Sequence, residues 1–148
     1  MHAFPFRRSF LFLFTTLLGV GLLSCGSARQ TVVLEKDWEM LGQQKVNFVR
    51  DKDEIDVTSD QRFTAVRFRV EDRAVRINDL TIFFTNGDKL EPSIDDEIAA
   101  DQYSRVIELN PEGRTIDKIE FRYRTTGNVL KGRANVLVLG KRYNPYGY

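Results

Sequence analysis

Apolar residues recur at every second position along most of the chain after Trp38, and this alternation limits what the chain can fold into. Between residues 115 and 124, for example, Ile119, Phe121 and Tyr123 alternate with charged residues. Successive side chains of a β-strand point to opposite faces, so a period of two predicts strands with one apolar face. No segment keeps a helical period over the length that a crossover between parallel strands requires. The alternation therefore predicts antiparallel β-structure.

Turn signals divide this alternating region into about eight strands at spacings of roughly 8–12 residues. Asn86-Gly87 is typical of a tight hairpin, and Asn110-Pro111-Glu112-Gly113 matches the residue preferences of a type I turn. We therefore predict an all-β fold, an antiparallel and jelly-roll-like β-sandwich of about eight strands. Its inward-facing residues are predicted to be Trp38, Val46, Phe48, Val66, Phe68, Leu80, Ile82, Phe84, Ile107, Leu109, Ile119, Phe121, Val136 and Val138.

The first 24 residues have the layout of a bacterial signal peptide. Arg7 and Arg8 precede an apolar run over residues 10–23, which is shorter than the ~20 residues of a membrane-spanning helix. The run ends at Ser24 and Cys25, an arrangement that resembles the lipobox, in which the cysteine is lipidated and becomes the first mature residue. A thiol is required there because it forms the thioether to the glyceride. We therefore predict a signal-peptide helix, cleavage, and lipidation of Cys25.

Cleavage before Cys25 would leave a short exported domain with a lipid at its first residue. We predict a lipoprotein signal peptide at 1–24, a short tether at 25–35, a β-sandwich domain at 36–142 and an irregular tyrosine-rich tail at 143–148. The lipid would anchor the domain to a membrane of the cell envelope, which is its first expected partner. Gly26 follows the cysteine, in place of the aspartate that resembles an inner-membrane retention signal, so the outer membrane is the expected location.

The composition of the mature chain excludes several kinds of chemistry. The single histidine, His2, leaves with the signal peptide, and the single cysteine would carry the lipid. The mature chain then lacks a histidine base, a cysteine nucleophile and the usual zinc ligands, so we expect neither a cofactor nor an enzyme, although carboxylate chemistry stays open. Loss of Arg7 and Arg8 changes 22 basic residues to 20 against 21 acidic ones. This near-neutral balance argues against a nucleic-acid partner.

Four arginines form the first candidate site. Arg67 and Arg69 lie two positions apart on one predicted strand, and Arg122 and Arg124 do so on another, so each pair shares a sheet face. If the two strands are neighbours, the four guanidinium groups would form a face for an anionic glycan, phosphate or lipid headgroup. The alternative is an exposed face on which these arginines pair with carboxylates across strands.

Two acidic stretches and a set of aromatic residues are weaker candidates. Asp51, Asp53 and Asp56 would offer oxygen ligands to Ca²⁺, but their spacing does not match an EF-hand loop, and a solvated turn is the alternative. The irregular connection at 90–103 carries carboxylates that suit either glycosidase-like acid–base work or a solvated loop. Those carboxylates are Asp95, Asp96, Glu97 and Asp101, and the rings that would bind a sugar are Trp38, Tyr103, Tyr123, Tyr143, Tyr146 and Tyr148.

Core and turn residues also form longer motifs. These are Trp38-x-x-Leu41-Gly42, Asp51-x-Asp53-x-Ile55-x-Val57, Asn86-Gly87, Gly113-Arg114-x-Ile116-x-x-Ile119-x-Phe121-x-Tyr123 and Gly132-x-Ala134-x-Val136-x-Val138-x-Gly140. Over residues 38–140 the pattern resembles an uncharacterised family of small exported bacterial β-sandwich domains, a domain of unknown function. The resemblance implies the sandwich fold and brings no activity with it.

The sequence therefore predicts a lipid-anchored envelope protein whose domain is a non-catalytic binding or structural module. Two alternatives stay open: a module that binds carbohydrate or an anionic polymer, and a carboxylate-dependent envelope hydrolase. Besides the membrane, the expected partner is an envelope glycan or another envelope protein. Two carboxylates converging in a deep pocket would favour the hydrolase, whereas a flat face with exposed aromatic rings would favour glycan binding.

Overall fold

The structure, a computed structural model, describes residues 34–46, 52–125 and 133–146. Within these ranges the chain forms antiparallel β-strands, and no helix there is long and apolar enough to cross a bilayer. The strands are β1 (Trp38–Val46), β2 (Lys52–Asp56), β3 (Phe63–Glu71), β4 (Val75–Phe84), β5 (Lys89–Leu90), β6 (Asp96–Ile98), β7 (Ile107–Glu108), β8 (Ile116–Thr125) and β9 (Ala134–Arg142). Outside the described residues lie the predicted signal-peptide helix, Cys25, most of the tether, Phe48, Asp51 and Tyr148.

The strands form two sheets that pack face to face. Sheet A has the order β1-β9-β3-β7, and sheet B has the order β2-β8-β4-β5, with β6 paired to β4. Every pairing is antiparallel. The rings of Phe68 from sheet A and Phe121 from sheet B meet in the core, with centroids 5.8 Å apart. The predicted all-β antiparallel sandwich is therefore confirmed.

The core contains most of the residues that the alternation assigns to it. Leu109 is partly buried against the core rather than inside it, and Trp38 is only half-buried. The predicted inward residues that are buried are Val46, Val66, Phe68, Leu80, Ile82, Phe84, Ile107, Ile119, Phe121, Val136 and Val138. The alternation thus predicts the inner faces of β3, β4, β8 and β9 correctly.

In the first half of β1, the predicted core-facing side is wrong. The pairing of β1 with β9 shifts between Met40 and Gly42, which is the signature of a β-bulge. Leu41 is buried at 8% exposure, whereas Met40 is 48% exposed. One extra residue in a strand moves the following side chains to the opposite face. Trp38 and Met40 therefore do not share the core face with Val46.

The two predicted turns both form. Gly113 donates its N–H to Asn110 O at 2.9 Å and has a φ of 70°, which closes a type I turn with glycine at the fourth place. The hairpin between β4 and β5 places Gly87 at a φ of 88°. Asn86 is not among the described residues with positive φ, so the hairpin is not the two-residue type I′ turn that Asn-Gly favours.

Candidate functional site

The outer face of sheet B carries a concave surface, which we call the polar trough. It consists of two adjoining depressions with volumes of about 180 and 430 Å³, which share Asp79, Leu80, Thr81 and Arg122. The remaining lining residues are Lys52, Asn78, Glu91, Pro92, Ser93, Ile94, Glu120 and Phe121. Strands β2, β4 and β8 and the segment 91–94 all contribute, so the trough gathers polar groups from distant parts of the chain.

A bulge in β4 shapes the floor of the trough. The pairing of β4 with β8 shifts between Ile77 and Asp79, and the buried positions change parity from Ile77 to Leu80. Two successive residues, Asn78 and Asp79, therefore lie outside the core, as expected where a bulge redirects side chains. Ile94, buried at 5% exposure, fixes the neighbouring segment 91–94 to the core.

Glu120 lies at the centre of an ion-pair ladder along one wall of the trough. Its carboxylate is 2.7 Å from Lys52 Nζ and 3.2 Å from Lys118 Nζ, and Lys118 also pairs with Glu54 at 3.0 Å. The hydrogen bond from Lys52, supported by Lys118 and opposed by partial burial, lowers the pKa of Glu120 to about 2. A carboxyl group ionised so strongly accepts hydrogen bonds at neutral pH and does not act as a general acid.

The polar groups of the trough favour a ligand that both donates and accepts hydrogen bonds. Three carboxylates line it, those of Asp79, Glu91 and Glu120, against the two cations of Lys52 and Arg122. An excess of carboxylate disfavours a polyanion, whereas hydroxyl, amide or zwitterionic groups match the mixture. The ring of Phe121 is buried at 1% exposure, so sugar binding here would rest on hydrogen bonds instead of ring stacking.

Arg67 does not lie on an exposed cationic face, contrary to the sequence prediction. It is buried at 8% exposure, and its guanidinium carbon lies 4.1 Å from the ring centroids of both Trp38 and Tyr103. Nη2 is 3.3 Å from Glu35 Oε1, without hydrogen-bond alignment, and Nε also lacks a hydrogen-bond acceptor. The two ring faces thus provide the main stabilisation of this cation, and they cover the groups that a ligand would need.

The proposed four-arginine face does not form. Arg67 and Arg69 lie on β3 in sheet A, whereas Arg122 and Arg124 lie on β8 in sheet B. Because β9 and β7 flank β3, and β2 and β4 flank β8, the two strands are not neighbours. Arg69 packs near the Tyr103 ring at 5.1 Å, while Arg122 and Arg124 are exposed on the outer face of sheet B. Of the four, only Arg122 lines the polar trough.

The weak calcium candidate is not assembled from the residues that the structure describes. Asp53 and Asp56 lie three positions apart on β2, which places them on opposite faces of the strand. Asp53 Oδ2 accepts a hydrogen bond of 2.8 Å from Tyr123 Oη. No group of three histidine, cysteine, aspartate or glutamate side chains in the described ranges is placed to hold a metal ion.

The acidic connection forms ion pairs with neighbouring arginines. Arg76 donates two hydrogen bonds of 2.7 Å to the Asp95 carboxylate, which lowers the pKa of Asp95. Arg105 Nε donates to Asp96 Oδ2 at 2.9 Å. This arrangement matches the solvated-loop interpretation, and none of these carboxylates lines the trough.

Two of the three trough carboxylates, Asp79 and Glu120, lie on paired strands, and none of the three was among the sequence candidates. The two on paired strands come together because Asp79 lies opposite Arg122, and Thr81 opposite Glu120, in the pairing of β4 with β8. One signal in the sequence points to this place. The apolar positions of β4 switch from odd to even numbers after Ile77, which is the mark of a bulge and of two adjacent polar residues on one face.

The fold and the trough define a small β-sandwich module with a polar concave surface on sheet B, and comparisons place the chain in a family. It belongs to the family described as a domain of unknown function (DUF2541), whose model matches residues 11–140. No curated protein matches the sequence. Among solved structures it is similar to a chain titled "Structural and functional characterization of Pseudomonas aeruginosa AlgX", at 16% identity and a TM-score of 0.46. The similarity covers 72% of this chain and 27% of that one.

Proposed function

We propose that this protein is a lipid-anchored module of the bacterial envelope that binds a neutral or zwitterionic glycan in the polar trough without cleaving it. The observation that carries the proposal is the trough itself, where three strands and one loop bring hydrogen-bond donors and acceptors together. Sugar hydroxyls donate and accept, so they use carboxylates and cations in the same site. This differs from the anionic polymer that four clustered arginines would favour.

The envelope location is supported by the N-terminal sequence. An apolar run bounded by Arg8 and Cys25 has the order of a lipoprotein signal. We expect Cys25→Ser to abolish lipid labelling in cells and to leave the precursor unprocessed, because only a thiol accepts the glyceride. Metabolic labelling with a fatty acid and the mobility of the mature band measure both effects. Normal processing of the Cys25→Ser protein would contradict the anchor.

Glu120 is not suited to be the acid of a glycoside hydrolase. Glycoside hydrolysis by two carboxyl groups needs one with a raised pKa, which donates a proton to the leaving oxygen. Lys52 and Lys118 instead stabilise the ionised form of Glu120. Within the trough, Glu120 is thus suited to accept hydrogen bonds from sugar hydroxyls.

The test is co-sedimentation of the full chain, in detergent, with purified peptidoglycan sacculi, whose amino-sugar strands carry peptides with both charges. Asp79→Asn/Arg122→Gln replaces a facing carboxylate and guanidinium of the trough with neutral amides and leaves the net charge unchanged. Loss of hydrogen bonds to charged groups should weaken binding about tenfold or more. The matched control is Arg76→Gln/Asp95→Asn, an ion pair of 2.7 Å between β4 and the connection before β6, whose residues do not line the trough.

Three outcomes would overturn or change the proposal. Equal sedimentation of the trough variant and the control variant would remove the trough from the binding site. Stronger retention by polygalacturonate than by sacculi would restore the anionic-polymer alternative. Release of soluble sugar fragments during incubation would show a hydrolase instead of a binding module.

A further inference from the structure

The described chain enters the sandwich beside a second depression, which we call the entry depression. It has a volume of about 340 Å³ and lies where β1 begins and β9 ends. Arg142 donates its backbone N–H to Asp37 O at 2.8 Å, and Trp38 pairs with Lys141. These contacts hold the entering chain against the end of β9. The depression is lined by Asp37, Thr64, Pro111, Lys141, Arg142 and Tyr143 among others.

The charges of the entry depression favour an anion. Lys141 and Arg142 are exposed, and neither side chain forms an ion pair with a carboxylate in the parts of the chain that the structure describes. Asp37 is the single carboxylate among the lining residues. The guanidinium of Arg62 lies 4.9 Å from the ring centroid of Tyr143, which adds a third cation beside the depression.

Two tyrosines give this end of the sandwich an amphipathic character. Tyr143 lines the depression, and Tyr146, three residues later, is 74% exposed. A tyrosine ring is apolar and its hydroxyl is polar, so tyrosines are favoured at the boundary between lipid and water. Lysine and arginine side chains next to them would reach phosphate groups at the same level.

We propose that the entry depression binds anionic phospholipid headgroups of the membrane that holds the anchor. Residues 26–36 separate Cys25 from Asp37 at the entry point, and a fully extended chain of that length spans about 40 Å. Because the chain joins the domain beside the depression, this is the end of the domain to which the tether is attached. The inference rests on the N-terminal anchor of the proposed function and is independent of glycan binding.

The test uses the mature lipidated protein, purified from membranes and reconstituted in vesicles, where the lipid on Cys25 holds it at the surface. Trp38 is the single tryptophan, and it adjoins Asp37 of the depression. Energy transfer from Trp38 to a dansyl-labelled headgroup lipid therefore reports how close this end lies to the surface. We expect more transfer in vesicles of phosphatidylcholine with phosphatidylglycerol than in phosphatidylcholine alone, and a decrease with salt.

A variant that lacks two cations, compared with a control variant, shows whether the response to phosphatidylglycerol comes from the entry depression. Lys141→Gln/Arg142→Gln should shift the docking equilibrium about 30-fold, since each cation near an anionic surface contributes about a further fivefold. It should then show equal transfer in both vesicle types. Lys45→Gln/Arg133→Gln removes the same charge at the opposite end of the β1–β9 pair, where both residues are exposed, and should behave as wild type.

Either of two results would overturn the proposal. The first is wild-type transfer that does not depend on phosphatidylglycerol, and the second is an equal loss in the Lys45→Gln/Arg133→Gln control. Sedimentation with sacculi reports the trough separately, and processing of the Cys25→Ser protein reports the anchor separately. Failure of lipid docking with both of those results intact would remove this inference alone.

Discussion

The polar trough and the entry depression have comparable volumes and opposite charge balance. The larger part of the trough encloses about 430 Å³ and the entry depression about 340 Å³. Carboxylates outnumber cations in the trough, whereas Lys141 and Arg142 outnumber Asp37 in the entry depression. Size therefore does not distinguish the two surfaces. Their charges do, and they predict a polar sugar for one surface and a phosphate for the other.

Arg67 on sheet A and the lysines beside the trough on sheet B are stabilised by different means. On sheet A, Arg67 is held between the rings of Trp38 and Tyr103. On sheet B, Lys52 of β2 pairs with Glu120 of β8 across strands, and Lys118 pairs with Glu120 along β8 itself. Stacked arginines are shielded from ligands, whereas cross-strand pairs stay at the surface and their partners can exchange with a ligand's hydrogen bonds. The paired lysines beside the trough are therefore open to a ligand, whereas Arg67 is not.

The largest predicted effect tests what the two surfaces share, which is the core beneath them. Phe121 is 1% exposed, and its ring lies 5.8 Å from those of Phe68 and Tyr123. Phe121→Ala should lower the free energy of unfolding by about 3–5 kcal/mol, because it removes buried area and leaves a cavity. Urea denaturation measures the change. An unaltered midpoint of the urea transition would mean that the Phe121 ring does not support the core. Phe121 would then not support the floor of the trough either.

A substitution with a smaller expected loss of stability should affect the entry depression and not the trough. Gly113 has a φ of 70°, and a Cβ there would lie 2.8 Å from Tyr143 Cβ and 3.0 Å from Arg62 Cβ. Gly113→Ala should cost about 1–3 kcal/mol from backbone strain and crowding. It should impair lipid docking at the entry depression and leave sedimentation with sacculi intact.

The control for this substitution is Gly87→Ala. Gly87 has a φ of 88°, and a Cβ there would meet nothing within 4 Å, so alanine would add backbone strain without crowding. The difference between the two variants in urea denaturation gives the crowding contribution at Tyr143 and Arg62. Equal losses of stability would mean that this end of the sandwich relaxes around the new methyl group.

Alternation predicted most inner faces because it depends on each strand alone. It failed where a strand contains an extra residue, at the bulge after Met40, and a second bulge after Ile77 produced the floor of the trough. A bulge depends on the pairing of two strands, so one strand's pattern shows it only as a change of parity. That change is visible between Ile77 and Leu80, and it marks the one part of the site that the sequence could reveal.

The order of the strands is the second feature that the sequence did not reveal. The prediction of a four-arginine face was wrong for this reason. The period of two places Arg67 with Arg69 and Arg122 with Arg124, and it says nothing about which strands adjoin. In this sandwich the strands next to each other are often distant in sequence: β9 lies between β1 and β3, and β8 between β2 and β4. The trough depends on that order, because Lys52 and Glu120 meet only when β2 pairs with β8.

The smallest predicted effect is the pH dependence of stability that comes from the ion-pair ladder around Glu120. Lys52 and Lys118 lower the pKa of Glu120 from 4.5 to about 2. A carboxyl group with a lowered pKa stabilises the folded state fully above pH 4.5, and this contribution disappears as the pH falls towards 2. The side chain is 19% exposed, so screening reduces the contribution to about 1–2 kcal/mol.

Glu120→Gln should therefore lower the free energy of unfolding near neutral pH and flatten its decrease between pH 4.5 and 2. Thermal unfolding at a series of pH values in low and high salt measures both effects, and high salt should bring the wild type closer to the variant. Glu108→Gln, an exposed carboxylate on β7 in sheet A, removes the same charge outside the ladder and should keep the wild-type profile. If the Glu120→Gln protein kept the full acid dependence of the wild type, the ladder would not be what stabilises this face, and the paired charges would not distinguish the trough from the entry depression.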